Sequence, residues 1–237
     1  MKTRYLPADS RGRADYGWLQ ANYSFSFANY YNPDRIQFGM LRVLNDDVVA
    51  PAMGFGKHPH DNMEIVTIPL EGAVRHRDSM GNEGVIRFGE VQVMSAGSGV
   101  EHSEMNASHH EPMKTLQIWV FSQFRDVEPR YDQKSFDLES RIDNFITVVS
   151  PHDKVEDGSL WIYQQSYFNL GIFSEGATAS YQVRIYGNGV YIFLIDGEIE
   201  VDGHVLRNRD AMEITDAETI DMKVRSASKI LVIEVPM

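Results

Sequence analysis

Of eight histidines in the chain, three stand in pairs whose spacing suits metal chemistry. His58-Pro59-His60 sets two imidazoles two residues apart, and His102-Ser103-Glu104 sets an imidazole and a carboxylate at the same spacing. In an extended chain, residues i and i+2 point to one face, so each pair can aim both side chains at one point. Two such pairs on neighbouring strands would gather three neutral nitrogens and one carboxylate. That donor set suits iron, nickel, copper, manganese or zinc and fits calcium or magnesium poorly. Pro59 has no N–H for a sheet ladder, which places the first pair at a strand end or rim. Glycines lead into both pairs, as tight turning at a rim requires. On spacing alone, solvated surface histidines fit as well as a metal site.

The elements that must carry these pairs are strands. Helical periodicity is weak, and short β-rich runs recur between Gly, Asn and Asp punctuation, the pattern of an all-β sandwich or barrel. Expected strands are Gly39–Leu44, Ile65–Leu70, Ala73–Arg77, Glu90–Ser95 and Leu116–Phe121, then Phe145–Val149, Leu160–Gln165, Val190–Ile195, Glu198–Val201 and Ile230–Val235. Turns are expected at Glu71-Gly72, Met80-Gly81-Asn82, Asp196-Gly197 and Asp202-Gly203. Pro69 predicts a bulge or an edge within its strand. The charged stretch Phe124–Asn144 reads as a connection between two halves, with room for a short helix.

The halves resemble each other: Ile68-Pro69-Leu70-Glu71-Gly72 matches Phe193-Leu194-Ile195-Asp196-Gly197. Aligning them sets Val183 and Ile185 opposite His58 and His60, and Met222 and Val224 opposite His102 and Glu104. Apolar residues at those positions predict a packed second barrel, so one metal per chain is expected, held in the first half.

Composition narrows the function. The 237 residues carry a formal net charge of −12 with no basic run, a field that repels phosphate backbones and argues against direct nucleic-acid binding. The chain lacks cysteine, which removes disulfides, thiolate metal sites and cysteine nucleophiles. No stretch is long and apolar enough for a membrane helix, and the polar N-terminus lacks a secretory core, so the expectation is a cytoplasmic protein without membrane attachment. His76 is near enough in sequence to line the site entrance, whereas His109, His110, His152 and His204 read as solvated. Trp18, Phe25, Phe27, Tyr30 and Tyr31 read as core or inter-domain packing. Some of Met53, Phe55, Met63 and Met94 should line an apolar cavity over the ion.

Longer segments around the pairs resemble the pirin family of cupins. The resemblance runs through Gly54-Phe55-Gly56-Lys57-His58-Pro59-His60, Met63-Glu64, Leu70-Glu71-Gly72 and His76-Arg77-Asp78-Ser79. It continues in Gln92-Val93-Met94-Ser95-Ala96-Gly97-Ser98-Gly99-Val100-Glu101-His102-Ser103-Glu104-Met105-Asn106. Upstream, Gly17-Trp18-Leu19, Phe25-Ser26-Phe27 and Leu41-Arg42-Val43-Leu44-Asn45-Asp46-Asp47 also fit, and downstream Ser150-Pro151 and Asp157-Gly158-Ser159 do. The resemblance implies an all-β chain of two cupin, jelly-roll-like β-barrels: residues 1–130 with the metal and residues 131–237 without it. It implies a monomer with one divalent transition metal, normally iron(II), with zinc, nickel, copper, manganese or cobalt as substitutes. It gives ligand roles to His58, His60, His102 and Glu104. Many cupins take their carboxylate from four residues after the second histidine, here Glu64; the pirin pattern takes Glu104 and leaves Glu64 as support.

The function so implied is a quercetin 2,3-dioxygenase, which opens the central ring of a flavonol or related catechol-type substrate with dioxygen and releases carbon monoxide. Glu104 is then both a ligand and the catalytic proton acceptor. The family also includes a non-enzymatic, iron-dependent co-regulator that binds a protein partner. A cupin isomerase or epimerase acting on a sugar ranks third, because the segments near the motifs are not rich in the Lys, Arg and His that anionic substrates require.

Overall fold

The alternation of apolar and polar residues between turn signals folds into strands along nearly the whole chain. The computed structural model describes residues 1–156 and 158–237; Asp157 of the family-like segment lies outside the described residues. In chain order the first strands are β1 (Lys2–Leu6), β2 (Gly12–Asp15), β3 (Leu19–Tyr23), β4 (Leu41–Val49), β5 (Gly54–His60) and β6 (Met63–Glu71). They continue with β7 (Ala73–Asp78), β8 (Glu83–Arg87), β9 (Glu90–Ser95), β10 (Val100–Asn106), β11 (Met113–Phe121) and β12 (Arg130–Ser135). The second half supplies β13 (Asn144–Pro151), β14 (Leu160–Ile162), β15 (Tyr167–Phe173), β16 (Thr178–Gln182), β17 (Gly189–Val201), β18 (His204–Arg207), β19 (Ala211–Thr215) and β20 (Thr219–Val235).

These strands form two cupin-like β-units, as expected. The first is a sheet in the order β12-β9-β6-β11-β4-β3-β2 with a smaller sheet, β5-β10-β7-β8. The second is a sheet in the order β1-β19-β17-β20-β15-β13-β14, with β16 on β20 and β18 on β17. Gly72, at a φ of +73°, makes the corner where the chain leaves the larger sheet after β6 and enters the smaller one as β7. We propose folding units of residues 1–130 and 131–237, with two strands reaching into the other unit. β1 pairs with β19 of the second half, and β12 closes the edge of the first sheet on β9.

Several local expectations change. The connection Phe124–Asn144 holds a strand, β12, and a single 3-10 turn at Glu139–Arg141 in place of an α-helix. Arg130–Ser135 is an edge strand, half-buried over its first four residues and exposed at its last two, and it carries no apolar alternation to announce it. Asp196-Gly197 is no hairpin turn. β17 runs straight through it with register shifts against β20, and Gly197, at a φ of +104°, is packed so closely on Ser228 that a Cβ would collide. Asp202-Gly203 is the true hairpin turn, both residues having positive φ, joining β17 to β18. The bulge expected at Pro69 is present, because the β6–β11 register slips between Pro69 and Glu71.

The largest apolar cluster lies between the halves. Phe25, Leu44, Val66 and Ile68 of the first meet Val148, Phe168, Tyr191 and Leu231 of the second. Phe25 and Phe38 both pack on Tyr191, with ring centroids 5.7 and 6.0 Å apart. The interior of the second barrel is a separate apolar core, in which Met222 and Val224 are buried and Val183 is partly buried. The first barrel has a smaller apolar interior, and its remaining space holds the polar groups described next.

Candidate metal centre

The smaller sheet aligns the two sequence pairs. β5 and β10 are antiparallel with His102 directly opposite His58, so their side chains share a face. A register shift between His102 and Glu104 then sets Glu104 opposite Phe55. Gly54 lies flat against the β10 backbone, where a Cβ would collide with the Glu104 carbonyl oxygen and Met105. Gly97, at a φ of +48°, leaves a Cβ no room beside the Val127 carbonyl. Gly54 thus allows the close approach of β5 to β10 that brings the pairs into line, and Gly97 allows the turn before β10 to pack on Val127.

The ring centroids of His58, His60 and His102 lie 4.5 to 4.8 Å from one another. The Nε2 atoms of His58 and His102 are 3.1 Å apart. Two nitrogens bound at right angles to one ion at ~2.1 Å would be about 3 Å apart, so this separation suits a shared ion. His58 Nδ1 lies 2.7 Å from the Gly56 carbonyl oxygen, which puts the ring proton on Nδ1 and leaves the Nε2 lone pair facing the site. Burial first, then the neighbouring imidazoles His102 and His58, pushes His60 down to about 4. Burial, then His58 and His76, pushes His102 down to about 3. Both rings are therefore neutral at neutral pH, the form that binds metal.

Glu104 is buried and held by donors from the floor of the larger sheet. Thr67 Oγ1 donates to its Oε1 at 2.9 Å, Gln92 Nε2 to the same oxygen at 3.2 Å, and Gln117 Nε2 to its Oε2. Sequence reasoning missed these three supports, which lie in separate strands and share no motif. The ligand-capable atoms of His58, His60 and His102 fall within 4.8 Å of one another, and so do those of His76, His102 and Glu104. His102 belongs to both groups. Among the described residues, both groups of three lie in the first barrel.

Other expectations move. His76 does not line an entrance. It sits opposite Glu104 on β7, fully buried, stacked on Tyr131 at 4.6 Å with Nε2 3.2 Å from Asp78. Glu64 points away from the histidines: Ser95 Oγ donates to it at 2.6 Å, and its strand neighbours Val66 and Ile68 belong to the core between the halves. Parity decides this, since Met63 and Ile65 face the barrel interior and Glu64 cannot. His152 is no solvated histidine, for it packs among Phe124, Trp161 and Tyr163.

A cavity of about 190 Å³ opens over the cluster, lined by Tyr23, Phe27, Phe55 and Trp119 together with His58, His60, Glu104 and Gln117. Phe55 lines it as expected, while Met53 is exposed and Met63 and Met94 pack in a core behind Trp119. Phe27 belongs to the cavity as well as to packing, and Tyr31 is 74% exposed. Asp47, on the same wall, is pushed up to about 8 by burial and then by the charges of Asp46 and Glu104.

Residues 7–120 match the pirin domain family, and residues 147–235 match the family described as quercetinase C-terminal cupin domain. The chain belongs to the pirin family. It is 38% identical over 229 residues to a protein of Escherichia coli K12 named quercetin 2,3-dioxygenase, covering 97% of this chain and 96% of that one. Among solved structures, it superposes on YhhW of Escherichia coli with a TM-score of 0.93 at 37% identity, covering 99% of this chain and 98% of the other. A structure of bacterial pirin YhhW in complex with nickel(II) gives a TM-score of 0.92 at 36% identity, covering 99% of each chain. No helix among the described residues is long and apolar enough to cross a membrane.

Proposed function

We propose that this pirin is a metal-dependent dioxygenase that opens the central ring of flavonols such as quercetin and releases carbon monoxide. The observation that carries the reading is the convergence of three imidazoles and one donor-braced carboxylate at an aromatic-walled cavity. Full-length similarity to a protein named quercetin 2,3-dioxygenase supports the substrate class. In this reading His58, His60, His102 and Glu104 hold one iron(II) per chain, a donor set that other first-row divalent metals also suit. When bound, such a metal supplies Lewis acidity towards a substrate hydroxyl and the one-electron chemistry that lets dioxygen react.

The chain's own residues do the rest. The Gly56 carbonyl fixes the His58 tautomer, and Trp119 packs edge-to-face with His60 at a centroid distance of 4.8 Å. Thr67, Gln92 and Gln117 aim the Glu104 carboxylate, the group placed to take the proton of a substrate hydroxyl. Tyr23, Phe27, Phe55 and Trp119 exclude water and offer faces for an aromatic ligand. The cavity is smaller than the ~300–1,000 Å³ usual for drug-sized ligands, so it takes one end of a flavonol while the rest lies towards the mouth. Among the described residues no lysine or arginine lines it, which disfavours an anionic sugar substrate.

The test is anaerobic loading with iron(II), then oxygen uptake and carbon monoxide release with a panel of flavonols and catechols. Turnover should vanish with a chelator and return when a divalent metal is restored. Turnover that persists in thoroughly chelated protein, or a loaded protein inert towards every flavonol, would overturn the reading.

A further inference from the structure

Strand register lays one polar row across the inner floor of the first barrel. Gln92 pairs with Thr67, Thr67 with Gln117, Gln117 with Asn45, and Asn45 with Tyr23, each on the next strand of the larger sheet. Residues directly opposite one another share a face, so the whole row points inward. Gln92, Thr67 and Gln117 are engaged by Glu104. Asn45 continues the row beyond Glu104, and Asp47 follows it two residues on, on the same face of β4.

Asn45 and Asp47 lack the hydrogen bond to Glu104 that Thr67, Gln92 and Gln117 make. Asn45 and Asp47 are each 3% exposed, and neither Oδ1 has a hydrogen-bond partner among the described residues. Both line the cavity that His58, His60 and Glu104 line. The adjacent Asp46, turned to the opposite face, is ion-paired with Arg11 at 3.2 Å and Arg209 at 3.4 Å. One strand thus carries two neighbouring carboxyl groups, the outer one provided with cations and the inner one left facing a hole. A buried polar atom without a partner is costly, and here two lie together in a wall otherwise built from Leu19, Ala21, Tyr23 and Phe27. Their partner has to come from whatever fills the cavity.

We propose that Asn45 and Asp47 are specificity-determining residues that accept hydrogen bonds from hydroxyl groups carried on the rings of an aromatic ligand. The proposal rests on the flavonol reading above and adds which flavonols the site prefers. Two side-chain acceptors set beside apolar and aromatic walls fit a ring that carries hydroxyls and reject a bare one, since a bare ring would leave both oxygens buried and unmatched. A carboxyl oxygen accepts from a hydroxyl in either protonation state, so the preference does not depend on the charge of Asp47.

The experiment compares binding of quercetin with 3-hydroxyflavone, which bears only the 3-hydroxyl, to nickel(II)-loaded protein without oxygen, read by quenching of tryptophan fluorescence. The wild-type chain should bind quercetin about tenfold or more tightly than 3-hydroxyflavone. Asn45→Ala and Asp47→Ala should each cut that preference to a few-fold by weakening quercetin alone, with metal content unchanged. Asp47→Asn keeps the shape and an acceptor oxygen and should restore most of the preference. A wild-type chain with no preference overturns the proposal without any variant and leaves the flavonol reading standing. Loss of both ligands in equal measure in the alanine variants also overturns it, marking a merely structural role. A wild-type chain that binds neither ligand sinks the flavonol reading and this proposal with it.

Discussion

Replacing Gln117 by leucine tests whether the floor of the larger sheet governs metal affinity. Among the described residues Gln117 is the one side chain that holds Glu104 Oε2, whereas Oε1 has two donors, Thr67 at 2.9 Å and Gln92 at 3.2 Å. Leucine has a similar volume and no polar atom, so the change removes the donor without opening a large void. A hydrogen bond to a charged group contributes about 1.5–3 kcal/mol, and each 1.4 kcal/mol is about tenfold in an equilibrium constant. With Oε2 released, the carboxylate pivots on Oε1 and the energy of that bond is lost from the aimed geometry. Metal affinity should fall about 10–100-fold, in line with the usual effect of removing a group that orients a ligand. Gln92→Leu leaves Thr67 on the same oxygen and should cost only a few-fold. The assay is competition for nickel(II) against a chromogenic chelator, with circular dichroism to establish that each variant is folded. Wild-type affinity in a folded Gln117→Leu protein would refute the reasoning, as would a larger loss in Gln92→Leu.

His102→Ala and Glu104→Ala should lose the metal or bind it far more weakly while still folding, whereas Glu64→Gln should keep full occupancy because Glu64 faces Ser95 and the core between the halves; elemental analysis of the three variants decides. The same analysis on the wild-type chain should give close to one metal per chain, since Met222 and Val224 are buried in the apolar core of the second barrel, and two tightly held ions would contradict it. Burial and neighbouring imidazoles push His60 from its ordinary 6.5 down to about 4 and His102 down to about 3. The unfolded chain therefore takes up protons that the folded chain refuses, so metal-free stability is fully present above about pH 6.5 and is lost as pH falls towards about 4. Burial raises the Asp47 carboxyl to about 8, which shifts stability in the opposite sense over the same window. Urea unfolding at several pH values is therefore compared with that of a His60→Gln, His102→Gln chain, in which the Asp47 contribution is shared; the same profile from pH 7 to 4.5 in both would show that the rings are not buried neutral.

What the sequence determined by itself was the chemistry on offer. Two i, i+2 pairs within single strands announce His58, His60, His102 and Glu104, because the twofold repeat of a strand is a local property that needs no partner to be read. The β character of the chain was legible for the same reason, as was the apolar filling of the second barrel from Met222 and Val224. Turn residues were less decisive: Asp202-Gly203 reverses the chain, while β17 continues through the similar Asp196-Gly197 with register shifts, because β20 continues alongside. Tertiary structure decided everything that depends on register between strands distant in sequence. It set His102 opposite His58, buried His76 behind Glu104 in place of an entrance position, and turned Glu64 out of the site. It also assembled Gln92, Thr67, Gln117 and Asn45 into one row from four separate strands. A one-residue slip in any of those pairings would send a side chain to the other face, and no local pattern in Arg130–Ser135 or around Asp47 records which slip is excluded. That exclusion comes from the packed core between the two halves, where Val66, Ile68 and Leu44 must meet Phe168 and Leu231.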